Sequence, residues 1–403
     1  MMRDVGYEVQ LDVVSEGYDR VTEWFQPRVG IIPPSTAVLT MTKARLWGSD
    51  IFTAVQGMRS DDLGESWSEP VPHATLDRRP APNGTIVCPC DMTPAWHSAT
   101  GKLLVTGHTA NYLPGEKGGL VLDATRILQV AYSVHDDQSH TWAEWSTLQM
   151  TDPDRFHFVS AGCTQRVDLP GGDILLPLYC MTRAECERAA SAGDHFVTVA
   201  RCSFDGELLR YLRSGNDLCT PGGRGFCEPS LTWYRGRFYL TLRNDLRGYV
   251  AISRDGLNYA EPVPWTFDDG EQLGSYNTQQ HWVTHSDGLF LAYTRRGAGN
   301  DMVIRHRAPM FVAEVDPERL CVLRDTEREI IPNRGAQMGN FGAVAASADE
   351  SWVINSECMH GDAKDPYNLD LTEARGASNR VYVCRIRWDR PNRLNELVPG
   401  TDV

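Results

Sequence analysis

The chain has 403 residues, 41% of them hydrophobic and 23% charged, which is enough apolar material for a full core. It contains no run of eighteen apolar residues and so no candidate membrane-spanning helix. A formal charge of −14, from 39 basic and 53 acidic residues, argues against nucleic acid or an anionic membrane as the main partner. The opening MMRDVGYEVQ lacks a basic-then-apolar leader, so a cytoplasmic location is expected, or a secreted one if a leader was trimmed. Eleven cysteines without regular spacing suit free thiols. The lone C-x-C of Cys88 and Cys90 has no second pair at ligand spacing, so neither a metal nor a cofactor is expected.

In chain order, the predicted elements form a repeat. The first copy, RVGIIPPSTAVLTMTKARL (28–46), lacks a glycine turn. The next five pair a short strand, a tight turn and a second apolar strand: TPAWHSATGKLLVTGH (93–108), CTQRVDLPGGDILLPLY (163–179), EPSLTWYRGRFYLTLRN (228–244), QQHWVTHSDGLFLAYTR (279–295) and NFGAVAASADESWVINSE (340–357). The interval is about sixty residues, and further strand-like stretches follow the copies, such as 51–60, 127–134, 196–204 and 249–256. One good helical pattern, 181–193, interrupts them. Six repeats of four antiparallel strands predict an all-β, six-bladed β-propeller. It is expected to occupy residues 1–403 as a single domain, with strands 7–16 and 379–388 pairing to close the last blade.

A second motif supports this. MRSDDLGESW sets Ser60, Asp62, Gly64 and Trp67 in the spacing S-x-D-x-G-x-x-W, and weaker copies stand at 133–142, 203–206 and 253–259. The Asp carboxylate accepts backbone N–H bonds, the Gly supplies positive φ and the ring packs into the blade. Asp62, Asp136, Asp137, Asp205 and Asp255 are therefore read as structural.

In a propeller, the start of each innermost strand and the end of the next reach one face. The repeat then yields a ring of pairs: Arg28 with Asp50, Asp91 with His108, Gln165 with Tyr179 or Arg183, Glu228 with Arg243, His281 with Arg295 or Arg296, and Asn340 with Glu357 or His360. Ionisable groups concentrated on one face suit a functional mouth.

With these boxes and blade repeats, the chain resembles the sialidase (neuraminidase) superfamily of Asp-box propellers. The resemblance implies that Arg28, in PRVGIIP, binds a substrate carboxylate, with Arg243 and either Arg295 or Arg296 completing a guanidinium clamp. It implies that Asp50 is the acid/base residue and that Glu228 activates the nucleophile. The tyrosine nucleophile of that family has no counterpart on the last blade, where GNFGAV offers Asn340 and Phe341. Tyr276, in the loop before blade five, is the substitute candidate.

The expected function is an exo-acting, sialidase-like glycoside hydrolase on an acidic oligosaccharide or glycoconjugate, with Asp50, Glu228, His281 and Tyr276 as catalytic candidates. Arg28, Arg243, Arg295, Arg296, Asp91 and His108 are the substrate-binding candidates. Two alternatives stand beside it. One is a lyase on a uronic acid, in which His281 or His108 removes the C5 proton while arginines neutralise the carboxylate. The other is a glycan-binding propeller without turnover.

Overall fold

The computed structural model describes residues 5–48, 50–115, 118–123, 126–189, 194–360, 364–366 and 368–394. Six antiparallel sheets follow one another around a ring. Blade 1 begins with Thr22–Ile32, Thr36–Arg45 and Phe52–Ser60, and blade 2 is built on Ile86–His97, Lys102–Tyr112 and Val130–Asp136. Blade 3 uses Ile174–Met181, Phe196–Phe204 and Leu209–Ser214, with Phe158–Ser160 and Val167–Asp168 together forming its inner edge. Cys227–Tyr234, Arg237–Arg243 and Tyr249–Ser253 start blade 4, and His281–His285, Gly288–Tyr293 and Met310–Asp316 start blade 5. In blade 6, Gly342–Ala345, Glu350–Ser356 and Val381–Trp388 are joined by the N-terminal strand Tyr7–Ser15, which pairs Tyr7 with Trp388 and Leu11 with Cys384. This is the all-β, six-bladed propeller that the repeat predicts.

The strands are apolar on both faces because both faces are covered. Alternate side chains go to different interblade cores. Leu175 packs with Leu231 and Leu240 of blade 4, whereas Leu176 packs with Val130 and Tyr132 of blade 2. Leu289 and Leu291 face blade 4, and Phe290 faces blade 6. Turn chemistry fixes the register. Between the paired Tyr234 and Arg237 stand only Arg235 and Gly236, both at positive φ (47° and 82°), a mirror-image turn that matches strand twist. The helical pattern at 181–193 yields the helix Arg183–Ala189, and residues 190–193 lie outside the described residues.

The acidic turns lie where the third strand of a blade ends, at the opposite end of the blade from the mouth. Asp62 Oδ1 accepts from the Ser60 hydroxyl and the Ser66 amide, and Oδ2 from the Ser66 hydroxyl. Gly64, at φ 82°, leaves room for Trp352, which an added Cβ would approach to 2.8 Å. Asp255 caps its turn through the amides of Leu257 and Asn258. The Ser66 bonds, then Ser60, hold the Asp62 carboxyl down at about 2. Burial pushes Asp255 up, but the Asn258, Leu257 and Ser253 bonds outweigh it and leave it at about 2. A carboxyl below its unfolded value stabilises the fold above that value and loses the contribution as pH falls through the folded one. The fold is therefore expected to weaken as pH drops from about 4 towards 2, and Asp255→Asn should flatten that acid limb in denaturant midpoints taken across the range.

Candidate functional site

One face of the ring opens into a cavity of about 470 Å³, and residues from all six blades line it. Its floor has a recurring backbone device. Gln26, Asp91, Cys163, Glu228 and Asn277, from blades 1 to 5 in turn, are non-glycine residues with positive φ (55°, 52°, 60°, 41° and 49°), and all five line the cavity. Three of them sit at breaks in strand register, between Phe25 and Arg28, Cys90 and Thr93, and Cys227 and Ser230. A bulge of this kind turns one side chain out of the alternation, and left-handed backbone at non-glycine residues is costly enough to cluster where function demands it.

The charges divide the cavity. On the side of blades 4 and 5, Arg243 donates through Nη1 to Glu228 Oε1 and through Nη2 to Asn277 Oδ1 (2.5 Å). Arg224 grips Asp245 in a fork (3.0 and 2.9 Å). Arg307 donates to the Asn277 carbonyl and to Gln337 Oε1 (3.2 Å). Burial, then the charges of Arg243 and Arg305, pull Arg307 down to about 9, still cationic at neutral pH. Burial pushes the Glu228 carboxyl up, but Arg243, Arg307 and Arg224 outweigh it and hold it below the usual range. Glu228 is thus ionised, and its buried Oε2 has no partner. Arg305, exposed at the rim, and Arg126, across the cavity, make no hydrogen bond or ion pair through their guanidiniums among the described residues.

Histidines stand beside Arg126 and Asp91 in the rest of the lining. Burial lowers His108, an effect that Asp91 opposes and Arg126 reinforces, and the His108 Nδ1 has no partner. Burial also brings His195 and His360 to about 4. Three neutral imidazoles therefore face the space at neutral pH. Tyr179 is the only tyrosine among the described lining residues. Burial, then the charge of Glu228, raises its phenol well above the ordinary value, so it stands protonated within electrostatic reach of that carboxylate. Gly162 makes the His108 wall possible, since an added Cβ would sit 2.0 Å from His108 Nδ1 and 3.1 Å from Asp91 Oδ2. Gly162→Ala is expected to displace the ring and to destabilise the fold by about 1–3 kcal/mol, read from chemical denaturation.

Of the residues expected from sequence, Asp50, Asp91, His108, Glu228 and Arg243 line the cavity, as do Tyr179, Asn340 and His360 of the wider ring. Arg28 does not. It lies two residues beyond the bulge, 1% exposed, and is bound to Asp91 Oδ1 (2.7 Å) and the Asn340 carbonyl (3.1 Å). His281 lies in the central channel, with Nδ1 2.7 Å from the Ser230 hydroxyl. Tyr276 bonds His306 Nδ1 (2.6 Å) under the Arg296 guanidinium, outside the lining. Arg295 forks onto Glu327 (2.7 and 2.6 Å), and Arg183 pairs with Asp154 at the surface. Arg305 and Arg307 come instead from the far end of the same Arg-rich segment, 293–309. Its loop is held shut by Asn300 Nδ2, which donates to the carbonyls of Arg295, His306 and Ala308. Arg126 and Arg224 were not anticipated by the ring argument, because they stand on loops rather than at strand ends.

No protein-family model matches the chain, and no curated protein matches its sequence. Among solved structures it is similar to a protein of unknown function from Dyadobacter fermentans DSM 18053, with a TM-score of 0.58 and 13% identity over 94% of this chain and 99% of that one. A Hadza microbial sialidase gives a TM-score of 0.60 and 12% identity, over 94% of this chain and 68% of the other. Trypanosoma rangeli sialidase gives 0.58 and 12%, over 96% of this chain and 60% of the other. At this level of identity the likeness concerns architecture, and it is that of a sialidase-like propeller.

Proposed function

We propose that the protein is a glycoside hydrolase acting on a sugar that carries a carboxylate. The observation that carries this reading is the convergence of Arg243, Arg305 and Arg307 around an ionised Glu228 in one cavity. Guanidiniums partly shielded from water suit forked binding of a carboxylate. In this reading Asp50, at the mouth, protonates the leaving oxygen. Glu228 takes the proton of the attacking group, and Tyr179 supplies the hydroxyl that the last blade lacks. Tyr179→Phe, which removes that hydroxyl alone, is then expected to cut kcat by about a hundredfold or more with little change in KM.

A specific observation favours a second reading. His108 is neutral, with an unpartnered Nδ1, in a cavity rich in arginine. That is the condition for a base that removes the proton beside a neutralised uronate carboxyl. A panel of acidic oligosaccharides followed by mass spectrometry separates the readings. Products heavier by one water in total support hydrolysis. An unsaturated, ultraviolet-absorbing uronate with no mass gain means elimination, and binding without any product means a glycan-binding protein.

A further inference from the structure

The cavity holds more positive charge than one carboxylate can neutralise. Five arginines and four carboxylates line it. Three of those carboxylates already have a guanidinium of their own. Arg28 holds Asp91 from behind, Arg224 holds Asp245, and Arg243 holds Glu228. Arg126, Arg305 and Arg307 remain, and none of them pairs with a carboxylate among the described residues. Even with Asp50 counted in full against them, two positive charges are in excess, since the lining histidines are neutral.

Arg305 and Arg307 stand with Arg243 on the side of blades 4 and 5. Arg126 stands apart. It belongs to the loop between the second and third strands of blade 2, beside His108 and His195, which burial first and its own charge after that both lower. Its main chain is tied down: the Arg126 amide donates to the Asp123 carbonyl (3.0 Å), and Leu128, two residues on, is buried in the core shared by blades 3 and 4. The Arg126 Nε is itself buried and has no partner. A buried charged donor left unsatisfied is costly, and an incoming anion relieves that cost. The forked N–H groups of a guanidinium fit the oxygens of a carboxylate or a sulfate ester.

Resting on the reading of this cavity as the site of an acidic sugar, we propose that the substrate carries a second anionic group and that Arg126 binds it. The first carboxylate lies against Arg305 and Arg307, and the second group is a carboxylate or sulfate ester on the neighbouring ring. A volume of about 470 Å³ leaves room for both rings, within the range of about 300–1,000 Å³ found for pockets that enclose drug-sized ligands. The substrate class is therefore an oligosaccharide with anionic groups on adjacent rings, rather than one acidic sugar on a neutral chain. A neutral second ring would cover Arg126 without satisfying it.

The test is calorimetric binding of thio-linked disaccharides, which resist turnover, in series built on glucuronate, galacturonate or sialate. Each series has a neutral member, a member with one carboxylate, and two doubly charged members whose second ring bears a carboxylate or a sulfate. The full chain is expected to bind a doubly charged member about ten- to a hundredfold more tightly than its singly charged counterpart. The tighter of the two doubly charged members identifies the second group. Arg126→Gln should bring that preference down to parity. Should this variant fail to fold, the salt dependence of the wild-type chain decides, because affinity for the doubly charged member should fall more steeply with ionic strength. Equal affinities for singly and doubly charged members, a preference that survives Arg126→Gln, or equal salt slopes would each overturn the second-anion site and leave the carboxylate reading standing. Neutral members bound as tightly as charged ones, or no binding in any series, would overturn both.

Discussion

Replacing Arg28 by alanine is expected to lower the unfolding free energy by about 3–5 kcal/mol, because it strands a charge in the core. Its partner Asp91 is 0% exposed, and the ion pair is the only salt bridge either residue makes among the described residues. The guanidinium also binds the Pro27 and Asn340 carbonyls, and a Cβ on Gly342 would come 2.7 Å from the Arg28 Cδ, so the side chain is wedged between blades 1 and 6. Removing both charges at once separates the pair from the packing. Arg28→Met with Asp91→Asn should recover much of the loss, since no charge is then left buried without its partner. Denaturant unfolding of the two single variants and the double variant measures this. A cost under about 1 kcal/mol for Arg28→Ala, together with selective loss of acidic-sugar binding, would instead favour the carboxylate-binding role that the family resemblance implies.

The second large effect is on turnover. Glu228→Gln keeps the shape of the side chain but removes the charge that Arg243 holds in place. On an acidic sugar substrate, kcat is expected to fall by about 10²–10⁴-fold, with KM changed far less because the arginines remain. Tyr276→Phe serves as the contrast. Its hydroxyl meets His306 outside the cavity lining, so kcat should stay at the wild-type value. Steady-state kinetics of both variants on one substrate gives the answer. Equal losses in the two would mean that the reacting centre lies nearer the 293–309 loop than the Glu228 floor.

The propeller was legible because its signals are local and repeated. Each hairpin turn and each acidic turn carries its own chemistry, and six copies leave little freedom in counting strands. The site was legible only in part, and the reason is one of register. The expected ring took Asp91 and Glu228, which sit on the left-handed bulges, but also Arg28, two residues past the bulge at Gln26, and His281, four past the left-handed Asn277. In a strand, such an offset moves a side chain along the channel and out of the mouth. Left-handed backbone at a glutamine or asparagine leaves no mark as plain as a glycine turn. For blade 5 the Arg-rich segment was recognised, but the folding of its loop, which decides that Arg305 and Arg307 rather than Arg295 and Arg296 face inward, depends on three carbonyls gathered by Asn300.

The left-handed floor also bears on how such a protein can change over time. Because the backbone, not the side chain, aims each of these residues inward, the five places behave like sockets on a common plate. The occupant of one can be exchanged without re-aiming the others, and glycine in any of them would relax the main chain while emptying the socket. Lineages that no longer need the chemistry should therefore drift towards sturdier, inert forms. New specificities should arise by swapping occupants and leaving the wheel intact.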